Sequence, residues 1–131
     1  ANLFKANLKG ANLVGINLSN GKVMGVNLNG ANLNGADLRG SNFSGSDLQY
    51  ATLKQANLNG ANLNGADLRK ANFFGADLRN AKLEWTKLRG ANFTEANLTD
   101  AIIKFEIYEN LDIAILCKTK TSLGEQNSDC K

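Results

Sequence analysis

The chain has 131 residues, 43% apolar and 21% charged, with 15 Lys and Arg against 12 Asp and Glu. That length sets one domain with a modest core, and a formal charge of +3 is too small to require a nucleic-acid partner. No apolar run approaches the roughly 18 residues of a membrane span, and both proline and histidine are absent. Residues 1–65 carry 5 basic and 2 acidic groups and residues 66–131 carry 10 of each, so the small excess lies in the first half.

From Ala1 to Phe105 the chain is written in pentads without an insertion; Ala31-Asn32-Leu33-Asn34-Gly35 and Ala36-Asp37-Leu38-Arg39-Gly40 are representative. The first and third residues, Ala and Leu or Phe, share a face in an extended segment, while the Asn or Asp between them faces the other way. A continuous strand fails because five is odd, so successive leucines would alternate faces. A helix fails because a five-residue step leaves them about 140° apart. The leucines converge only if the chain turns a corner in each unit, at the fourth and fifth positions, where Gly, Asn, Ser and Lys collect. The Asn-Gly pairs at 29–30, 34–35, 59–60 and 64–65 therefore read as corners, although such pairs elsewhere signal hairpins.

A chain that turns the same way in every unit coils, and its coils stack as parallel strands about 4.8 Å apart. The number of sides stays open on this reasoning. The internal match of 31–48 with 61–78 is offset by 30 residues, which fits three or six pentads per coil as easily as four.

These A-[ND]-L-x-x units resemble the pentapeptide repeat family over residues 1–105, in uninterrupted register. The resemblance implies an all-β fold: a right-handed quadrilateral parallel β-helix with four pentads per coil, about five coils and a height of about 25 Å. Third-position residues then stack in columns, such as Leu13, Leu33, Leu53, Phe73 and Phe93. Ile16 and Val26, where Ala is usual, flank Gly21, which is expected to compensate their volume.

On the outer surface, Asn2, Asn7, Asn12 and Asn17, with the Asn and Asp below them, are expected to form structural ladders between coils. The ADLR units at 36–39, 66–69 and 76–79 place acid and base two apart as solvated ion pairs worth less than about 1 kcal/mol each. Arg69, Lys70, Lys87 and Arg89 fall on one side in adjacent coils and form a candidate anion surface. Trp85 and Phe105 occupy fifth positions 20 apart and are expected to stack at one corner. With Phe74, and with Phe4 and Met24 at outward fourth positions, they mark a candidate partner surface or an aromatic ladder.

After Phe105 the register fails, which divides the chain into a repeat domain, 1–105, and a non-repeat C-terminal cap, 106–131, over the apolar bore. The cap reads as a short helix over 106–110, a strand over 113–117 and a loop over 118–131. Cys117 and Cys130 bracket that loop, either as free thiols or as a disulfide. The tail CKTKTSLGEQNSDC resembles the Cys-bounded C-terminal segment of exported pentapeptide repeat proteins of cyanobacteria and of the chloroplast lumen, without their Pro-Asp-Gly turn. That resemblance implies a Cys117–Cys130 bond and an oxidising compartment, periplasm or thylakoid lumen. At the other end Ala1 opens a coil inside the first repeat, which reads as a processed or trimmed product, and the bare coil leaves two alternatives: a cap was removed, or this face packs against another molecule, as in end-to-end association of two copies.

Nothing in the chain supports catalysis, a cofactor or a metal centre: no nucleophile–base spacing occurs, and the glycines punctuate corners instead of cradling phosphate. The reading that remains is a scaffold or protein-interaction module with a protein partner. The family resemblance also raises mimicry of duplex DNA by an acidic rod that binds a type II topoisomerase, which the charge of +3 argues against. A third reading is binding of an anionic ligand or nucleic acid by the Arg69–Arg89 side.

Overall fold

The computed structural model describes residues 2–104, 119–121 and 124–126. Within 2–104 one arrangement recurs: the second residue of each pentad pairs in parallel with the residue 20 positions on. Asn2↔Lys22, Asn7↔Asn27, Asn12↔Asn32 and Asn17↔Asp37 start four such columns, which run on to Asn72↔Asn92 and Asp77↔Asn97. The fold is a parallel β-helix whose register, 20 residues or four pentads per coil, resolves the period that sequence matching left open. Two bridged segments widen into strands, β1 (Lys82–Glu84) and β2 (Ile102–Lys104), paired in parallel with Lys82 opposite Ile102.

Backbone polar groups inside the wall are paired coil to coil, as burial requires. The Leu33 N–H donates to the Thr52 carbonyl at 2.7 Å and the Gly35 N–H to Lys54 at 2.8 Å, while the Asn32 N–H reaches back to Ala11 at 2.9 Å. Within each corner a first-position N–H closes onto the third-position carbonyl before it, as from Ala36 to Leu33 at 3.0 Å. The fifth residue is left-handed whatever its type: φ is 68° at Gly35, 60° at Tyr50 and 61° at Trp85.

The inward positions are those the pentad pattern requires. Leu33, Leu38, Phe43, Leu48 and Leu53 are fully buried, with small first residues such as Ala31 and Ala51 between them. Phe73 and Phe93 stack nearly parallel, centroids 5.0 Å apart at 7°, because the coil spacing sets one ring above the other.

Two expectations need correction. The second-position Asn and Asp side chains do not ladder from coil to coil. Each Oδ1 instead accepts the N–H two residues on, as in Asn62 to Asn64 at 2.9 Å and Asn72 to Phe74 at 3.0 Å, since that donor is closer than the next coil. A ladder contact does occur from the Thr52 hydroxyl to Asn32, at 3.1 Å.

The expected loop over 118–131 contains a hairpin: β3 (Thr119–Thr121) pairs antiparallel with β4 (Gly124–Gln126), Thr119 opposite Gln126. Its Thr-Lys-Thr strand has the β-branched content that favours extended chain. Phe105, the expected helix at 106–110 and strand at 113–117, Cys117 and Cys130 lie outside the described residues.

Around Val26 the packing carries an adjustment that sequence reasoning missed. Val26 is fully buried, and its N–H meets the Ser46 hydroxyl at 3.2 Å, while that hydroxyl donates to the Val23 carbonyl at 2.6 Å. A side chain from the next coil thus closes this corner where backbone alone closes its neighbours.

Candidate interaction surface

Because residues 20 apart stack, the outer wall falls into four strips of pentads, and charge is sorted among them. The first strip carries Lys5, Lys22, Lys82 and Lys104 against Glu84. The second carries Lys9, Arg69, Lys70, Lys87 and Arg89 against Asp47 and Asp67. In the third, Lys54 balances Glu95; the fourth holds Asp37, Asp77 and Asp100 with Arg39 and Arg79. The cationic excess is therefore lateral, on two adjoining strips, and not only a property of the first half of the sequence.

The edge shared by those two strips bears Trp85, 57% exposed, in the column of Lys5, Gly25, Gly45 and Gly65. Its N–H is held by the Lys104 carbonyl at 2.9 Å. Tyr50, on the next edge, is 55% exposed and lies under the Lys70 ammonium, 5.5 Å from the ring centroid. Lys5 covers Phe4 at 5.2 Å in the same manner. Phe74 is partly buried on the third strip, so the fold separates it from Trp85.

Three of the arginines are already engaged. Arg69 grips Asp67 with Nε at 2.9 Å and Nη2 at 2.6 Å, and its N–H adds a bond at 3.2 Å. Arg39 and Arg79 hold Asp37 and Asp77 in the same three-donor geometry. Burial pushes the Asp67 carboxyl up, but hydrogen bonds from the Arg69 side chain and N–H, with the charges of Arg69 and Lys87, outweigh it and leave it below the ordinary 3.8. The Arg79 side-chain hydrogen bond is the main cause of the downward shift at Asp77.

Arg89 differs. Its pentad reads Thr86-Lys87-Leu88-Arg89 where the others read Ala-Asp-Leu-Arg, so a lysine stands in the position of the pairing aspartate. Among the described residues neither an ion pair nor an acceptor for the Arg89 N–H is found. In two of the other pentads that lack the Asn or Asp, those of Thr52 and Lys82, the acceptor comes from the coil before: Asn34 accepts the Lys54 N–H at 2.9 Å and Asn64 the Glu84 N–H at 3.0 Å. The exchange of Asp for Lys was legible in the sequence, but grouping Arg69 with Arg89 as like charges concealed it.

Fifth-position side chains also lie over the glycine one coil on. The Gln55 amide covers Gly75, Asn20 covers Gly40, and Lys70 Cγ would sit 3.0 Å from a Cβ at Gly90. Among the described residues no group of three or more His, Cys, Asp or Glu converges, and no helix is long and apolar enough to cross a membrane.

A parallel β-helix of uninterrupted pentads, faced with short polar side chains, defines a class of repeat protein. The pentapeptide repeats family model matches 8 copies over residues 1–20, 24–60, 51–90 and 76–105, and the chain belongs to that family, whose members form right-handed β-helices. It is similar to HetL, a pentapeptide repeat protein involved in heterocyst differentiation regulation in the cyanobacterium Nostoc sp. strain PCC 7120. The identity is 30% and the TM-score 0.58, over 95% of this chain and 67% of that one. It is also similar to the pentapeptide repeat protein Rfr23 of the cyanobacterium Cyanothece 51142, at 31% identity and a TM-score of 0.69, over 86% of this chain and 84% of that one. Comparison with curated proteins gives no match.

Proposed function

We propose that the protein is a non-enzymatic interaction module: a right-handed, four-sided rod of about five coils that docks a partner protein where the pentad consensus is broken. One observation carries the reading. Exposed Trp85 stands on the edge between the two cationic strips, on a wall whose inner backbone groups are satisfied by the coils themselves. Such a wall needs neither ring nor cation for its own stability, and tryptophan and arginine are the side chains enriched at the anchoring points of protein interfaces. Similarity to HetL, a protein involved in regulation, favours interaction over catalysis. The lateral cationic excess opposes mimicry of a DNA duplex, which needs an acidic wall.

Affinity capture with the wild type, Trp85→Ala and Phe74→Ala tests the reading. A partner retained by wild type and Phe74→Ala and lost from Trp85→Ala supports it; capture indifferent to Trp85 rejects that edge. Export to an oxidising compartment, with Cys117 bonded to Cys130, is part of the same proposal, and two titratable thiols in protein taken from its native compartment would refute it.

A further inference from the structure

We infer that Arg89, together with Lys87, receives a carboxylate from an acidic segment of the partner; the inference rests on the interaction-module reading and specifies the chemistry of its partner. The coil shows what this backbone is built to hold. At pentads 36–40, 66–70 and 76–80 an arginine at the fourth position offers its N–H, Nε and Nη2 to one carboxylate, supplied by the Asp two residues before it.

Pentad 86–90 repeats that backbone and its arginine, Leu88 buried and Arg89 exposed, but Lys87 takes the place of the acid. The same three donors remain, with an ammonium added beside them. Among the described residues the acid beside it cannot serve: Asp67, paired through its backbone with Lys87 from the coil before, is already gripped bidentately by Arg69. Bidentate guanidinium–carboxylate pairs gain strength from matched geometry as well as from charge, and this arrangement is filled by a carboxylate at three equivalent positions of the same chain, so a carboxylate is the group its backbone and side-chain donors are spaced to hold. Lys70, whose N–H donates to the Arg89 carbonyl at 2.9 Å, and Lys82 on the adjoining strip extend the field that would draw in an acidic segment.

Trp85, the single tryptophan, lies two residues from Lys87 and reports the site directly. The full chain is titrated with poly-L-aspartate at low salt, following Trp85 emission, for the wild type, Arg89→Ala, Lys87→Asp and Lys54→Asp. Lys87→Asp rebuilds the internal pair, whereas Lys54→Asp makes the same change of charge on the third strip. Saturable binding by wild type is expected, weakened about tenfold or more by Arg89→Ala and by Lys87→Asp, and little altered by Lys54→Asp.

Three results would overturn the assignment: no wild-type binding, equal weakening by Lys87→Asp and Lys54→Asp, or tighter binding of single-stranded DNA or phosphatidylglycerol vesicles than of poly-L-aspartate. Absence of poly-L-aspartate binding beside a partner still captured through Trp85 would reject the carboxylate and leave the module reading standing.

Discussion

The Ser46 hydroxyl completes the corner of Val26 one coil before it, accepting the Val26 N–H at 3.2 Å and donating to the Val23 carbonyl at 2.6 Å. Ser46→Ala would strand a buried N–H and a buried carbonyl together. Urea denaturation should show a loss of about 1–3 kcal/mol. Ser41→Ala should cost less, because the Leu38 carbonyl that its hydroxyl meets at 2.6 Å already accepts the Ser41 N–H at 3.2 Å.

Glycine at the corners answers to two different constraints. Gly60, at φ 71° with nothing near an added Cβ, should tolerate alanine at the left-handed penalty alone, about 1–2 kcal/mol. Gly75, at φ 67°, lies beneath the Gln55 amide, so Gly75→Ala should cost more. Gln55→Ala/Gly75→Ala, referred to Gln55→Ala, should return the cost to the level of Gly60→Ala. A double-mutant cycle in denaturation midpoints measures the difference.

The Asp67 and Asp77 carboxyls titrate below their ordinary 3.8 in the folded chain. A group whose folded value is depressed contributes stability that is fully present above its unfolded value and is lost as pH falls through the folded one. Thermal midpoints should therefore fall between about pH 5 and pH 2, and Asp67→Asn/Asp77→Asn should flatten that profile. Each partly exposed pair should account for less than about 1 kcal/mol.

In the Phe73–Phe93 stack, Phe73→Ala should cost about 3–5 kcal/mol, for it empties a fully buried ring-sized volume. Phe73→Leu should cost no more than about 1.5 kcal/mol, because Leu33 and Leu53 already occupy the same column. Chemical denaturation of both variants checks the ranking.

What the sequence determined by itself was everything decided within a pentad. Ala and Leu face inward because they are two apart, the fifth residue turns left-handed because a corner must form there, and Arg69 finds Asp67 because both lie on one outward face. Each of these contacts spans two or three residues, so it is written where the chain is read. Which residues lie 20 apart in one column was implied by the resemblance alone, and only the tertiary structure decided what those neighbours do: that Ser46 rather than backbone closes the corner of Val26, that Gln55 needs a glycine beneath it, and that the cations spread over two adjoining strips with Trp85 on their common edge. The physical reason is that several coil periods keep every leucine inward equally well, and only the closure of backbone hydrogen bonds from coil to coil selects the one that sets which side chains become neighbours.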